Sequence, residues 1–233
     1  MAAGTLYMIP VPLAEQAWHT LSPEITGHSR RIQHFFVENL REARRFLKAI
    51  DREIDIDALS FREMNRNAEL DLDQLRRWLQ EGKEVGVISD AGCPGVADPG
   101  AQLAGLAHQM GARVIPLTGP SSVLLALMAS GLNGQCFCFN GYLPVKDPER
   151  GKKIRALEAE SARDQKTQLF IETPYRNNNL LADLLKHCQP GTRLCIAVNL
   201  TAADESVQTK TIADWARQPQ TLPKQAAIFL LLA

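Results

Sequence analysis

The chain has 233 residues, and its 26 basic and 26 acidic side chains give a formal net charge of zero. The molecule as a whole therefore has no bulk attraction for nucleic acid, and any such affinity must come from a local patch. Its five cysteines, which show no C-x-x-C spacing, argue against a disulfide framework and a metal site and favour a reduced, cytoplasmic setting.

The first half of the sequence alternates apolar strand patterns with amphipathic helix patterns. Predicted strands cover residues 4–12, 33–38, 85–88 and 113–117, and predicted helices cover 39–50, 71–82 and 100–110. Asp71 is expected to cap its helix, and Pro99 is expected to stand at the first helical position of the next one. This alternation predicts an α/β domain with a parallel, doubly wound sheet over residues 1–117.

The second half mixes consecutive strands with helices. Predicted helices cover residues 121–130, 176–187 and 212–217, and predicted strands cover 137–143, 168–172, 193–200, 205–210 and 225–232. A basic loop is expected after Pro144, with cations at Arg150, Lys152, Lys153 and Arg155. The mixture predicts a second α/β domain with a mixed sheet over residues 118–233, and a ligand cleft between the two domains. No apolar segment in either half has the length of a membrane span, so no membrane contact is expected.

Two glycine-bearing turns follow predicted strands of the first domain. The first turn is the run SDAGCPGVADPG at residues 89–100, and the second is TGPSS at 118–122. Neither turn is a G-x-G-x-x-G or a G-x-x-x-x-G-K-[ST] motif, which argues against a dinucleotide site and a P-loop. Open α/β sheets bind ligands at the carboxyl ends of their strands. We therefore expect both turns to line one ligand site, with Gly92 and Gly119 leaving room for close approach of the ligand.

These two turns together resemble the tetrapyrrole methylase family of S-adenosylmethionine-dependent methyltransferases. The resemblance is strongest to the bacterial branch that methylates ribose 2'-hydroxyls of 16S ribosomal RNA, and FCFNGYLPVK at residues 137–146 is similar to that branch's FCYEGFLPAK. It extends from Gly4 to Leu232. It implies two α/β domains with the cofactor between them, S-adenosylmethionine as the cofactor, and a homodimer.

The resemblance also implies which residues contact the cofactor. In the first domain they are Leu13, Asp90, Gly92, Cys93, Pro94 and Val96, followed by Ser121 and Ser122 after the second turn. In the second domain they are Ile171, Glu172, Ala197, Leu200, Gln225 and Ala226. Because the cofactor itself carries the reactive methyl group, the protein's task is to hold donor and acceptor in line.

The acceptor side is predicted from charged residues. Arg41, Arg44, Arg45 and Lys48 recur at helical spacing and form one basic face, which is either a solvated surface or a patch that contacts RNA phosphates. A ribose hydroxyl needs a group that accepts its proton, and the resemblance offers Glu38, Glu63 and Glu172 as unranked candidates. Further substrate contacts implied in the same way are Asn65 and Arg176.

Methylation of small-subunit ribosomal RNA is the favoured function, and two alternatives stay open. One is a methyltransferase that acts on a tetrapyrrole or a related small molecule. The other is a protein that binds S-adenosylmethionine without turnover. The last alternative is motivated by PVPLAE at residues 10–15, where the branch has TPIGNL, and by VENLR at 37–41, where it has AEDTR.

Overall fold

The computed structural model describes residues 4–64, 70–218 and 220–233. Contacts within the chain divide it into two compact units, Met1–Ser121 and Ser122–Ala233. The division falls shortly after Leu117, where the sequence places the domain boundary. Among the described residues, no helix combines the length and the apolarity that a membrane crossing requires.

Unit 1 is a five-stranded parallel sheet with helices on both faces. Its elements are β1 (Thr5–Ile9), α1 (Glu24–Arg31), β2 (His34–Val37), α2 (Leu40–Ile50), β3 (Ser60–Glu63), α3 (Leu72–Gln80), β4 (Glu84–Ile88), α4 (Ala101–Gln109) and β5 (Arg113–Pro116). The strand order is β3-β2-β4-β1-β5, and every adjacent pair is parallel. The predicted parallel, doubly wound sheet is therefore confirmed.

Alternate residues of the strands of unit 1 enter two different cores. Tyr7 of β1 packs on the face that α2 covers with Phe46, whereas its neighbour Leu6 packs on the opposite face with Leu75 of α3 and Leu103 of α4. This burial on both faces is the reason why the strands are almost continuously apolar. It leaves the loops at the carboxyl ends of the strands as the polar part of the unit.

Unit 2 is built around a mixed sheet, as predicted. Its elements are α5 (Ser122–Ser130), β6 (Phe137–Tyr142), α6 (Glu149–Asp164), β7 (Thr167–Glu172), α7 (Asn177–His187), β8 (Arg193–Val198), β9 (Ser206–Thr211), α8 (Ile212–Arg217) and β10 (Ala227–Leu232). The strand order is β6-β7-β10-β8-β9, with β6 parallel to β7 and the other adjacent pairs antiparallel. Helix α5 covers one face, and α6, α7 and α8 cover the other.

Two expectations about individual elements are wrong, and one helix was missed. The expected basic loop after Pro144 is the 16-residue helix α6, in which Arg150 is buried together with Ile154 and Leu157 at helical spacing. Helix α4 begins at Ala101 rather than at Pro99, because Gly100 precedes it with φ +129°. Helix α1 was not predicted from the sequence at all. Asp71, in contrast, caps α3 as expected by accepting a hydrogen bond from the Gln74 amide at 3.0 Å.

Candidate functional site

Three loops meet at the carboxyl edge of the sheet of unit 1. They follow β4, β1 and β5, and β1 lies between the other two strands. The Val11 amide donates to the Gly92 carbonyl at 2.9 Å, and the Gly92 amide donates back to Val11 at 3.1 Å. The Cys93 thiol lies 3.3 Å from the Pro120 carbonyl oxygen. The two glycine-bearing turns therefore converge as expected, although the loop after β1 joins them because their strands are not neighbours.

Close packing between the loops requires the glycine at residue 119, and the backbone conformation favours the glycine at residue 92. A Cβ atom at residue 119 would lie 2.2 Å from Cβ of Pro10, and a Cβ at residue 92 would lie 2.9 Å from Cδ2 of Leu13. Gly92 also has φ +69°, which side chains with a Cβ rarely adopt. The expectation that the Cβ position of residue 119 faces ligand space is wrong, since it faces Pro10. For residue 92 it stays a prediction, because the atom met there belongs to Leu13, itself a predicted cofactor contact.

Cys93 is a thiol that packs against the loop after β5. Burial, with a smaller contribution from Asp98, raises the pKa of the Cys93 thiol. The protonated sulfur is the form that can donate to the Pro120 carbonyl. A role for Cys93 as a thiolate nucleophile is therefore disfavoured, in agreement with a reaction that needs no covalent intermediate.

The predicted cofactor contacts of unit 1 differ in how much of their surface is open. Asp90 and Val96 are exposed, Gly92 and Pro94 are buried, and Leu13, Cys93 and Ser121 are half-buried. Side chains that are open in this way can contact a ligand directly, whereas the side chain of Pro94 is enclosed by the loop. The open set of unit 1 offers one carboxylate, apolar surface, one thiol and one hydroxyl group. Ser122, the next predicted contact, is half-buried at the first position of α5 in unit 2.

Two of the three candidate bases lie at this same edge. Glu38 follows β2, and its Oε2 accepts a hydrogen bond from the Asp90 amide at 3.1 Å. Glu63 ends β3, and its Oε1 accepts from the Leu40 amide at 2.8 Å, at the start of α2. Both carboxylates thus connect neighbouring loops of the edge. Asn65, the predicted substrate contact that follows, lies outside the described residues.

A cavity of about 460 Å³ opens beside Asp90. Its walls come from three segments of unit 1: the loop after β1, one side of α2, and the end of β4. The residues that line it are Val11, Pro12, Leu13, Ala14, Glu15, Gln16, Trp18, Glu42, Arg45, Phe46, Ala49, Ile88, Ser89 and Asp90. The sequence predicted ligand contacts at Leu13 and Asp90 in its wall, but it did not predict the cavity itself, because Trp18 and the lining residues of α2 belong to no recognisable motif.

The third candidate base, Glu172, occupies a different environment in unit 2. Its Oε1 accepts hydrogen bonds from the Thr173 amide at 2.7 Å and from Arg176 at 2.6 and 2.9 Å. Its Oε2 lies 3.8 Å from the guanidinium of Arg150, and the side chains of Glu172 and Arg150 are both 2% exposed. Arg150 also donates to the Pro144 carbonyl and to Asp183, at 2.7 and 3.0 Å. Glu172 and Arg176 therefore belong to a buried ionic cluster.

The other predicted contacts of unit 2 are largely parts of its framework. Ala197 is 1% exposed in the core under α5, and Ile171 and Leu200 pack against that core. Ala226 accepts a hydrogen bond from the Asn199 amide at 2.9 Å. Gln225 donates to Asp204 at 2.8 Å, and this bond, with a second one from Asn199, lowers the pKa of Asp204. The burial of Ala197 disfavours a direct ligand contact by its side chain.

One group of potential metal ligands occurs among the described residues. Asp147, Asp183 and His187 bring ligand atoms within 4.8 Å of one another. Cations already pair with this group: Lys186 lies 3.0 Å from Asp147, and Arg150 lies 3.0 Å from Asp183. Hydrogen bonds from Lys186 and His187 lower the pKa of Asp147 to about 2. The protein itself therefore neutralises these carboxylates, and nothing in the cluster calls for a metal ion.

Comparison of the sequence with known families gives one match over most of the chain. The profile of tetrapyrrole (corrin/porphyrin) methylases matches residues 28–216. Ribosomal RNA small subunit methyltransferase I of Escherichia coli O157:H7 is 27% identical over 231 residues, which cover 98% of this chain and 77% of that protein. The protein of the same name from Neisseria meningitidis serogroup A is 32% identical over 214 residues, covering 92% of this chain and 70% of the relative.

Comparison with solved structures supports the fold. The methyltransferase CobJ superposes with a TM-score of 0.60 at 18% identity, and the match covers 99% of this chain and 94% of that one. Uroporphyrin-III-C-methyltransferase from Thermus thermophilus superposes with a TM-score of 0.55 at 16% identity, covering 98% and 92%. At these identities the likeness concerns the architecture of the two sheets and their helices.

Proposed function

The chain belongs to the tetrapyrrole (corrin/porphyrin) methylase family and is an S-adenosylmethionine-dependent methyltransferase, and we propose that it methylates a ribose 2'-hydroxyl in the RNA of the small ribosomal subunit. The observation that carries the proposal is the likeness to proteins named ribosomal RNA small subunit methyltransferase I over 92–98% of the chain. The fold alone does not select RNA, since the superposed structures have other names.

The residues at the edge of unit 1 fit the cofactor chemically. When bound, S-adenosylmethionine supplies an electrophilic methyl carbon on a cationic sulfur, so the protein needs no metal and no covalent nucleophile. Asp90 offers an exposed carboxylate to the cationic end, Leu13 and Val96 offer apolar surface to the adenine, and Ser121 offers a hydroxyl group. We assign the cofactor to these side chains and to the backbone of the loops that carry them.

We place Glu38 first among the candidate bases. Its carboxylate is hydrogen-bonded to the amide of Asp90, so it lies next to the loop that carries the predicted cofactor contacts. Glu63 lies one strand further from that loop, and Glu172 is enclosed by two guanidinium groups in unit 2. A carboxylate beside the methyl donor is suitably positioned to accept the proton of an attacking hydroxyl.

The proposal is tested by following a labelled methyl group. The protein is incubated with methyl-tritiated cofactor and small ribosomal subunits isolated from cells that lack this methyl mark, with fully marked subunits as the control. We expect tritium in the RNA of the unmarked subunits only, and in 2'-O-methylated nucleosides after digestion. Tritium in a low-molecular-weight tetrapyrrole fraction, or cofactor binding without transfer to either acceptor, would contradict the proposal.

Two further properties follow from the resemblance to the family and are proposed on that ground alone. We propose that the chain forms a homodimer and that it works in the cytoplasm, where small subunits are assembled. Light scattering on the purified protein tests the first proposal, with twice the chain mass of 25.8 kDa as the expected result. Fractionation of the source cells tests the second.

A further inference from the structure

The cavity beside Asp90 has aromatic and acidic walls to which the proposed function assigns no ligand. Its volume of about 460 Å³ falls within the range of about 300–1,000 Å³ that is typical of small-molecule sites. Its walls combine aromatic surface from Trp18 and Phe46 with the carboxylates of Glu15, Glu42 and Asp90. A hollow of this size with both kinds of wall suits a ligand that has a flat ring and several hydrogen-bond donors.

Trp18 is the feature of the cavity that most suggests a ligand. The residue is 41% exposed, although tryptophan is highly buried on average. Its ring lies nearly parallel to that of Phe46, with an interplanar angle of 21° and 6.3 Å between centroids. Trp18 also lines a second hollow of about 250 Å³. A fixed, exposed indole of this kind is a platform on which a nucleobase can stack.

The charged residues around the cavity suit different parts of a nucleotide: those inside suit the nucleoside, and those outside suit the phosphates. Inside, three carboxylates stand against one cation, Arg45, whose Nη1 is itself paired with Glu42 at 3.1 and 3.2 Å. These acceptors suit the hydroxyl groups of a ribose and the amino group of a base, and they disfavour a phosphate. Outside, the exposed cations Arg41, Arg44 and Lys48 occupy the adjoining face of α2 and suit the phosphates of the same strand.

The cavity also lies where an acceptor must lie. Leu13 and Asp90 line its wall and are at the same time predicted contacts of the cofactor. The amide of Asp90 is hydrogen-bonded to Glu38, the proposed base. A ribose held in the cavity would therefore be close to both the methyl donor and the proton acceptor, which is the arrangement that in-line transfer requires.

We propose that this cavity receives one unpaired nucleotide of the RNA acceptor, with its base stacked on Trp18, its sugar among the carboxylates, and its phosphates on the cationic face of α2. The inference rests on the proposed function and adds to it the side chain that selects single-stranded RNA. Trp18 lies in the stretch QAWHT at residues 16–20, directly after the loop PVPLAE that departs from the TPIGNL of the resembled branch. Trp18 is therefore a feature of this chain that the family motifs did not supply.

Intrinsic fluorescence tests the stacking directly and without catalysis. The chain has three tryptophans, and Trp78 and Trp215 are 6% and 2% exposed, so Trp18 alone is accessible to a ligand. We expect short single-stranded oligoadenylate and oligocytidylate to quench the emission in a saturable way, and a duplex RNA of the same length to quench it much less. In the variant Trp18→Phe the quenching should disappear while most of the RNA affinity remains.

Affinity measurements with a matched control separate stacking from folding. Trp18→Ala should weaken binding of the fluorescein-labelled oligonucleotides about 5- to 100-fold, as expected for loss of one base–aromatic stack. The control is Phe137→Ala on β6 of unit 2, an aromatic residue with the same exposure of 41%, which should leave RNA binding unchanged. Calorimetric titration with the cofactor should give the same affinity for all variants, which also verifies that they are folded.

The outcomes distinguish this inference from the proposed function. If unmarked small subunits are methylated normally but RNA neither quenches Trp18 nor binds more weakly to Trp18→Ala, the inference is overturned and the proposed function stands. If the cofactor alone quenches Trp18 and competes with the oligonucleotide for it, the cavity belongs to the cofactor and the inference is again overturned. If the native protein binds the cofactor but neither binds nor methylates RNA, the proposed function and the inference fail together.

Discussion

The glutamates at the carboxyl ends of strands lie in different environments in the two units. In unit 1, Glu38 and Asp90 lie at the edge of the sheet beside an open cavity, and the hydrogen bond between them engages a backbone amide. In unit 2, Glu172 and Arg150 are 2% exposed and neutralise each other with the help of Arg176 and Asp183. Under the proposed function, Glu38 serves the chemistry in unit 1, whereas the ionic contacts of Glu172 stabilise unit 2. The two glutamates differ in their partners: Glu38 binds a backbone amide at an open edge, whereas Glu172 binds buried opposite charges.

The largest effect that this comparison predicts is on the stability of unit 2. Arg150→Met removes the guanidinium and leaves Glu172 and Asp183 without their buried cation. Breaking a buried ion pair in this way costs about 3–5 kcal/mol of unfolding free energy. Urea unfolding followed by circular dichroism measures the loss. The matched control is Lys152→Met on the exposed face of the same helix, which should change the free energy of unfolding by less than about 0.5 kcal/mol.

The double variant Arg150→Met with Glu172→Gln sharpens this prediction. Removing both charges takes away the uncompensated carboxylate, so the double variant should be less destabilised than the sum of the two single variants. If the losses of unfolding free energy were additive, the two side chains would not interact, and the buried cluster would not stabilise unit 2 through this pair.

The next effect concerns the loops of unit 1. Gly119→Ala brings a methyl group to 2.2 Å from Cβ of Pro10, so the loops after β1 and β5 must separate. Overpacking of this kind costs about 1–3 kcal/mol, and we expect the affinity for S-adenosylmethionine to fall with it. Gly134→Ala is the control, since a Cβ there meets nothing within 4 Å and the residue does not have positive φ. Calorimetry should show weaker cofactor binding for the first variant alone.

The sequence predicted the features that depend on local patterns and missed those that depend on contacts between distant residues. The two sheets, all their helices except α1 and α6, and the meeting of the two glycine-bearing turns were predictable, because strand periodicity and turn composition are local properties. Helix α6 was missed because Arg150 and its neighbouring lysines indicated a solvated segment. The burial of Arg150 depends on Glu172 and Asp183, which lie 22 and 33 residues away along the chain.

The site was predicted less completely than the fold for the same reason. The loops that carry Asp90 and Ser121 follow from motifs, whereas the cavity beside Asp90 also needs Trp18 and one side of α2, which lie outside those motifs. Gly119 was expected to leave room for a ligand, whereas in the structure its missing Cβ makes room for Pro10. Contacts between segments that are distant in sequence decide these points.

A smaller effect is expected from the cationic face of α2. The double variant Arg41→Gln with Arg44→Gln should weaken RNA binding and lower the slope of log affinity against log salt by about 0.7 for each phosphate that is no longer neutralised. Lys152→Gln with Lys153→Gln on α6 removes the same charge from an exposed face of unit 2 and serves as the control. An equal loss of affinity in both double variants would point to overall charge and would exclude a local patch.

The smallest effect is the acid response of unit 2. Hydrogen bonds from Lys186 and His187 lower the pKa of Asp147 from 3.8 to about 2. A carboxylate with a lowered pKa stabilises the folded state above its unfolded pKa, and this contribution is lost as the pH falls from about 4 towards 2. Asp147→Asn should therefore flatten the pH dependence of the unfolding free energy in that window. A curve parallel to that of the native protein would contradict this assignment.

The rate of methyl transfer in Glu38→Gln, measured at saturating cofactor on unmarked small subunits, tests the central claim most directly. The glutamine preserves the acceptor for the Asp90 amide, so we predict unchanged stability and cofactor affinity, and a rate that falls by about 10²–10⁴-fold, as expected for loss of a general base. A rate equal to that of the native protein would contradict the claim that the chemistry takes place at this edge of unit 1.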